Sequence, residues 1–213
     1  GIGRCSLPTD VKLYQIPYND LQPMMEESLE IISLLLENDD PISYKGKYWS
    51  IKDMALQLKS YQRPKMPIAI ACSGSEKSLE FAGSNGLKAL SLAKPPGPSS
   101  IPLSNQWDVI SNAADRTGKN VDRNEWELVT YVYLADTKKQ AMDDIESGAH
   151  RDIHEYFSTI SDNGIDQYKN SKDQHEDDVT VSSVINKRSW IIGTPDDAIK
   201  EIEKLEEEAG GIG

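Results

Sequence analysis

The stretch Pro67-Ile68-Ala69-Ile70-Ala71-Cys72-Ser73-Gly74-Ser75-Glu76-Lys77-Ser78 decides how this chain is read. Its first half is an unbroken apolar run without polar alternation, which suits a parallel strand covered on both faces. The Ser73-Gly74-Ser75 turn that follows opens a helix, so backbone N–H groups, two hydroxyls and a helix N-terminus converge on one point. Such a point binds anions, and phosphate is the usual guest. At the C-terminal end of a barrel strand, a phosphate site implies a phosphorylated cofactor or substrate. The same residues also suit an ordinary strand–turn–helix with Ser75 as the N-cap.

Working outward, Lys88 to Leu92 reads as a second short buried strand and Leu103 to Thr117 as a helix closed by Gly118. The helix begun at Ser75 ends at Asn85-Gly86, and Lys94 to Pro102 is a Pro/Ser-rich loop. Trp126 to Ala135 is a strand by its β-branched and aromatic content. Asp136 and Thr137 cap a helix expected to reach about Ile160, with a break at Gly148. Ser161 to Asp178 is polar and without periodicity, and residues 161–183 are expected to form a mobile loop or insertion. Trp190 to Gly193 is a strand, and Thr194-Pro195-Asp196-Asp197 opens a last helix expected to turn Ile199, Ile202 and Leu205 inward. Upstream, Gly1 to Arg4 reads as the end of a strand followed by a loop through Asn19. A helix over Asp20 to Asn38 then presents Met25, Leu29, Ile32 and Leu36 on one face, with Pro23 tolerated in its first turn. Tyr44 to Trp49 is a hairpin turn, and Ala55 to Leu58 is expected as a strand. Strands alternating with helices define an α/β fold with a parallel sheet, either doubly wound or a barrel.

Composition narrows the function. The 213 residues carry 35 acidic and 23 basic side chains, a net charge of -12, with no Lys/Arg block, which argues against nucleic acid. No apolar run approaches the roughly 20 residues that cross a bilayer, and no secretory signal pattern is present. Cys5 and Cys72 are the only cysteines. They form no disulfide framework and fit a reducing cytoplasm. His150 and His154 stand at helical i, i+4 spacing beside Glu155, a spacing that can serve a metal, but no third ligand is placed and no metal is expected. Cys72 at a strand end is either a reactive thiol or, in the more usual case, a small core residue. The same two readings apply to Cys5. Asp10 is either a substrate-facing acid or a loop cap.

Several segments in order resemble the bacterial-luciferase-like family of flavin-dependent monooxygenases. They are Gly1-Ile2-Gly3-Arg4, Ser6-Leu7-Pro8-Thr9-Asp10, Met24-Met25-Glu26-Glu27, Tyr44-Lys45-Gly46, Pro67 to Ser78, and Gly193-Thr194-Pro195-Asp196-Asp197. The second of these, with Gly210-Gly211-Ile212-Gly213, is most similar to the limonene-monooxygenase-like branch. The resemblance implies a (β/α)8 TIM barrel binding FMN at the C-terminal ends of its strands. Arg4 then falls on the arginine that approaches the flavin phosphate. Ser75 and Ser78, with Gly74 beside them, fall on the phosphate turn. Gln22 stands where many relatives carry a second arginine, and Gly74 where the luciferases carry an acid, so light emission is not implied. On the family pattern the N-terminal strands and the C-terminal end are lacking. The chain is expected to be a fragment, inactive in isolation, and no catalytic residue is assigned.

The chemistry the resemblance implies uses reduced FMN, supplied by a separate reductase, and dioxygen on a small organic substrate, in a protein that is commonly a homodimer. A deazaflavin-dependent oxidoreductase and a non-catalytic flavin-binding protein are the alternatives.

Overall fold

The computed structural model describes residues 1–5, 7–94, 100–160, 164–169, 171 and 173–212, and the chain divides into two compact units, Gly1–Ile68 and Ala69–Gly213. No described helix is long and apolar enough to cross a membrane.

In the first unit, a short helix α1 (Pro8–Leu13) and a 3-10 turn (Tyr18–Asp20) precede the long helix α2 (Leu21–Glu37). The expected strand end at Gly1 to Arg4 is reduced to a single bridge at Ile2, and the expected loop through Asn19 contains α1. Pro8 at the first helical position, after an extended Leu7, supplies the start signal for α1. Helix α2 buries Leu21, Leu29 and Ile31, whereas Ile32, expected inward, is 38% exposed. Strands β1 (Ile42–Lys45) and β2 (Ser50–Met54) pair antiparallel around the Gly46–Trp49 turn. Turn geometry fixes hairpin register, so the second strand falls at residues 50–54, not at the expected Ala55–Leu58, where Leu58 is almost fully exposed.

What holds the hairpin to α2 is polar. The Glu27 carboxylate accepts the backbone N–H groups of Lys47 (3.0 Å), Tyr48 (3.1 Å) and Trp49 (2.7 Å). The Tyr44 hydroxyl donates to Glu30 (2.7 Å) and the Tyr48 hydroxyl to Asp20 (2.6 Å). Gly46 is required by this clamp, because a Cβ there would overlap the Glu27 carboxylate and crowd the Tyr44 ring. Two of the motif segments, Met24 to Glu27 and Tyr44 to Gly46, are the two halves of this one contact.

The second unit is parallel α/β. Strand β3 (Ala69–Cys72), helix α3 (Glu76–Asn85), strand β4 (Lys88–Leu92) and helix α4 (Leu103–Thr117) alternate along the chain, and β3 pairs parallel with β4. Gly86 and Gly118, both in the left-handed region (φ 63° and 67°), end the two helices. Strand β5 (Glu127–Val129) completes the sheet β3-β4-β5. Strand β6 (Val132–Leu134) instead pairs with β7 (Ile191–Gly193). The single strand expected over Trp126 to Ala135 therefore changes neighbours midway. The switch is anchored by the Thr130 hydroxyl donating to the Ser189 carbonyl (2.8 Å) and by Tyr131 packed on Trp190 (4.7 Å between rings).

The core lies between one face of this sheet and helices α3 and α4. Ile70 and Cys72 of β3, Ala89 and Ser91 of β4, Leu79 and Ala82 of α3, and Ile110 and Ala113 of α4 are buried, with Trp126 beneath them. The Trp126 indole N–H donates to the buried Ser91 hydroxyl (2.9 Å). Gly83 brings α3 close to α4, since a Cβ there would overlap the Ile110 carbonyl. In β3 coverage is one-sided where two-sided coverage was expected: Ala71 is exposed between the buried Ile70 and Cys72.

Helix α5 (Lys138–Arg151), capped by Thr137, continues through a π-helical turn at Asp152–Tyr156 into α6 (Phe157–Ile160). The irregularity falls at this π turn, not at Gly148. Within the stretch expected as a loop or insertion, Gly164–Tyr168 forms a 3-10 turn and α7 (Val181–Arg188) begins at residue 181. Ile165, Tyr168, Val179, Val181 and Val184 pack with Ile153 into a second core. Helix α8 (Pro195–Ala209) starts in a capping box of Thr194 and Asp197. It buries Ala198, Leu205 and Ala209, whereas Ile199 and Ile202, expected inward, are 54% and 48% exposed. The small residues Ala198 and Ala209 set the contact face, which leaves the bulkier isoleucines on the flank.

Candidate functional site

The Gly74-Ser75-Ser78 constellation assembles as one turn. Strand β3 ends at Cys72, Gly74 takes φ 81°, and Ser75 (φ -75°, ψ 140°) caps α3. Glycine is what permits the reversal at position 74, because a side chain is strained in that region. The Ser75 hydroxyl oxygen accepts the Ser78 N–H (3.3 Å), and the Ser78 hydroxyl donates to the Ser75 carbonyl (2.9 Å). The two hydroxyls stand 3.0 Å apart. Glu76 and Lys77 precede the first intrahelical acceptor, so their N–H groups have no partner within α3 and face the helix N-terminus. Ser75 is exposed and Ser78 half-buried, so the hydroxyls are reachable from solvent.

An anion arriving here meets the first-turn amides, two hydroxyls and the positive end of the helix dipole. The amides suit an anionic group; the Ser75 hydroxyl donates to the Ser78 hydroxyl oxygen and the Ser78 hydroxyl to the Ser75 carbonyl, and the exposed Glu76 at the first helical position is the one opposing charge within the turn. The turn is tied down from behind: the Ile101 N–H donates to the Gly74 carbonyl (2.8 Å), and the Gln106 side-chain amide donates to the Ile101 carbonyl (3.2 Å). Sequence reading missed both residues. The one available signal was a glutamine at position 106 on a helix face otherwise made of Leu103, Ile110, Ala113 and Ala114.

Cys72, directly before the turn, is a core residue. Burial pushes its thiol up to about 11, only partly offset by its hydrogen bond to the Ser78 carbonyl, so it holds its proton at neutral pH.

The other singled-out residues lie elsewhere. Arg4 is in the first unit, exposed, with its guanidinium 5.5 Å from the Tyr18 ring centroid and 3.5 Å from the Tyr18 hydroxyl. Together with Ile2, Cys5, Leu21, Met24 and Leu29 it lines a concavity of about 410 Å³ belonging to that unit alone. Cys5 is exposed, 4.0 Å from the Asp10 carboxylate, and Asp10 sits in the first turn of α1, where a negative charge favours the helix. Gln22 donates to Glu26 within α2 (2.9 Å). His150 and His154 stack at 4.5 Å, and the Nε2 of His154 lies 2.9 Å from the Val179 carbonyl. Among the described residues no group of three or more His, Cys, Asp or Glu side chains is placed to hold a metal ion.

Parallel strands alternating with helices, with this turn at the end of β3, define the second unit as α/β. Comparison with known proteins identifies the class: residues 1–211 match the family described as luciferase-like monooxygenase, and the chain belongs to it. Among curated relatives, a 4-hydroxyprotoasukamycin monooxygenase of Streptomyces nodosus subsp. asukaensis is 28% identical over all of this chain and 56% of its own length. The limonene 1,2-monooxygenase of Rhodococcus erythropolis is 25% identical over all of this chain and 52% of its own length. The chain thus spans about half the length of these relatives.

Solved structures show the same fold. Monooxygenase RslO1 of Streptomyces bottropensis matches with a TM-score of 0.74 at 18% identity, covering 99% of this chain and 58% of its own. The oxygenating constituent of 3,6-diketocamphane monooxygenase of Pseudomonas putida, in complex with FMN, matches at 0.71 and 24% identity, covering 99% and 62%. An F420-dependent secondary alcohol dehydrogenase with an F420-acetone adduct matches at 0.61 and 18% identity, covering 92% and 55%. The architecture is therefore that of a luciferase-like TIM barrel, of which this chain carries a part.

Proposed function

We propose that this chain belongs to an FMN-dependent monooxygenase that uses reduced flavin and dioxygen on a small organic substrate, and that it holds the flavin phosphate at Gly74, Ser75 and Ser78. The observation that carries the reading is the turn itself: a positive-φ glycine, an N-capping serine, a second hydroxyl 3.0 Å away, and first-turn amides without an intrahelical acceptor. Family membership, the relatives named monooxygenases and the FMN-bound structure of the same fold support it. Arg4 is proposed as a cofactor-binding residue in its own right. The flavin, when bound and reduced, supplies the dioxygen chemistry. The chain's residues bind and orient it: the amides of Glu76 and Lys77 and the hydroxyls of Ser75 and Ser78 neutralise the phosphate and thereby fix where the ring can lie. Reduced flavin comes from a separate reductase, and the protein works as a homodimer in the cytoplasm.

The alternative cofactor is a deazaflavin, supported by the F420-dependent dehydrogenase of the same fold. Fluorescence titration of FMN, riboflavin and F420 into the full chain, its Ser75→Ala variant and its Arg4→Ala variant tests both readings. FMN binding at least about tenfold tighter than riboflavin, weakened by Ser75→Ala, is expected from charge-assisted hydrogen bonds of this kind. Oxygen consumption on supply of reduced FMN then separates an oxygenase from a non-catalytic flavin-binding protein. Preference for F420 selects the dehydrogenase reading. Binding of none of the three overturns the proposal.

A further inference from the structure

Gln106 is fully buried on α4, and only one hydrogen bond of its side chain is made among the described residues. Its Nε2 donates to the Ile101 carbonyl at 3.2 Å, while its Oε1 has no hydrogen-bond partner among the described residues. A buried carbonyl left unsatisfied lowers stability, and an apolar side chain of the same length would avoid that loss. Every other buried residue of α4 is apolar: Leu103, Ile110, Ala113 and Ala114. Packing alone therefore does not favour glutamine here.

The hydrogen-bond path explains its presence. Ile101, held by Gln106, donates its N–H to the Gly74 carbonyl at 2.8 Å. In a trans peptide the carbonyl and the following N–H point in opposite directions, so pinning the Gly74 carbonyl also sets the direction of the Ser75 N–H. Gly74 sits at φ 81° and has no side chain to restrain it. Glycine visits both signs of φ with similar ease, so the turn needs an external peg to keep one conformation.

We propose that Gln106 is a positioning residue for phosphate: through Ile101 it locks the Gly74–Ser75 peptide in the orientation that receives the phosphate of a flavin mononucleotide. The inference rests on the reading of the turn as the phosphate site. Gln106 touches no ligand in this account, and its action is transmitted by two hydrogen bonds. The geometry belongs wholly to the second unit.

The test replaces Gln106 by methionine, which keeps length and volume, in the full chain. Dissociation constants for FMN and riboflavin are measured alongside thermal unfolding, with Ser75→Ala in parallel. Gln106→Met is expected to lower the FMN-over-riboflavin preference about five- to tenfold, to leave riboflavin affinity unchanged, and to keep or raise the unfolding temperature. A structural role would instead lower the unfolding temperature and weaken both ligands together, and that result overturns the inference. Gln106→Leu repeats the measurement should methionine disturb the helix packing. A preference lost in Ser75→Ala but retained in the Gln106 variants overturns the inference and leaves the phosphate turn standing. A preference unchanged in Ser75→Ala as well overturns both.

Discussion

The two units of this chain are held together by different physics. In Gly1–Ile68 the long helix and the hairpin meet through carboxylates: Glu27 gathers three backbone N–H groups of the turn, and Asp20 and Glu30 take tyrosine hydroxyls. Few apolar side chains are buried there beyond Leu21, Leu29 and Ile31. In Ala69–Gly213 the helices meet the sheet through close packing, with Gly83 against the Ile110 backbone and Trp126 under Ser91. Hydrogen bonds to carboxylates within reach of solvent depend on ionisation and exchange with water, whereas packing depends on volume. The Gly74–Ser78 turn belongs to the second kind of region, which suits the proposed phosphate site, whose donors must be rigid before the ligand arrives.

Substitutions that act on one region and spare the other test this contrast, and the largest effect is expected at Gly83. Gly83→Ala forces α3 and α4 apart, because the added methyl overlaps the Ile110 carbonyl, a backbone atom that cannot rotate away. A loss of about 3 kcal/mol is expected from such overpacking, with amide exchange accelerated in the second unit only and FMN affinity reduced. Gly46→Ala is the counterpart in the first unit. It pushes the Glu27 carboxylate out of its clamp, and a loss of about 2 kcal/mol confined to the amides of Gly1–Ile68 is expected by the same exchange experiment. Exchange that accelerates throughout the chain in either variant would contradict the division.

Trp126→Phe keeps the ring in the core and removes the donor to Ser91, for an expected loss of about 1–2 kcal/mol in chemical unfolding. Ser91→Ala removes the acceptor, and the double variant, with neither polar end left buried, is expected to recover part of that loss.

Acid titration gives the mildest discrimination. Burial tends to raise the Glu27 carboxyl, but the backbone N–H groups of Trp49, Tyr48 and Lys47 outweigh it and hold the group below its usual 4.5. The Tyr48 hydroxyl, assisted by Lys47, similarly holds Asp20 below 3.8. A folded-state value below the unfolded one means stability that is complete above the unfolded value and is lost as pH falls through the folded one. Hairpin amides are therefore expected to lose protection as pH falls below the ordinary glutamate value, before those of β3 and β4. In the second unit Asp197, lowered by its bonds to Thr194, exposes only the N-terminus of α8 to the same change. Loss of protection in both units at one pH would remove the distinction.

How much of this was legible in the sequence follows from how local the deciding interactions are. Helices α3 and α4 and strand β4 are written by adjacent residues: the Ser75 cap, the Gly86 and Gly118 terminators, and a short apolar run. The start of α8 is likewise written in Thr194, Pro195 and Asp197. The change of neighbour between β5 and β6 was not legible, because β-branched and aromatic residues run through Thr130 and Tyr131 without a break. The polar stretch before α7 hides Ile165 and Tyr168, isolated apolar residues that acquire a core only when Val179 to Val184 fold against them. At the candidate site, Gly74, Ser75 and Ser78 could be read together because they fall within five consecutive residues. Arg4 entered only through family resemblance. Gln106 showed in the sequence only as a polar residue on an apolar helix face, since the role proposed for it depends on a bond to Ile101 and on Ile101's bond to a glycine far upstream.

The central claim is that the amides and hydroxyls of the Gly74–Ser78 turn receive the flavin phosphate. Amide chemical-shift changes in the uniformly 15N-labelled chain, recorded on adding FMN and, separately, riboflavin, test it most directly. The account predicts that the amides of Ser75, Glu76, Lys77 and Ser78 move with FMN and stay in place with riboflavin. FMN-specific shifts that avoid these four residues would contradict it.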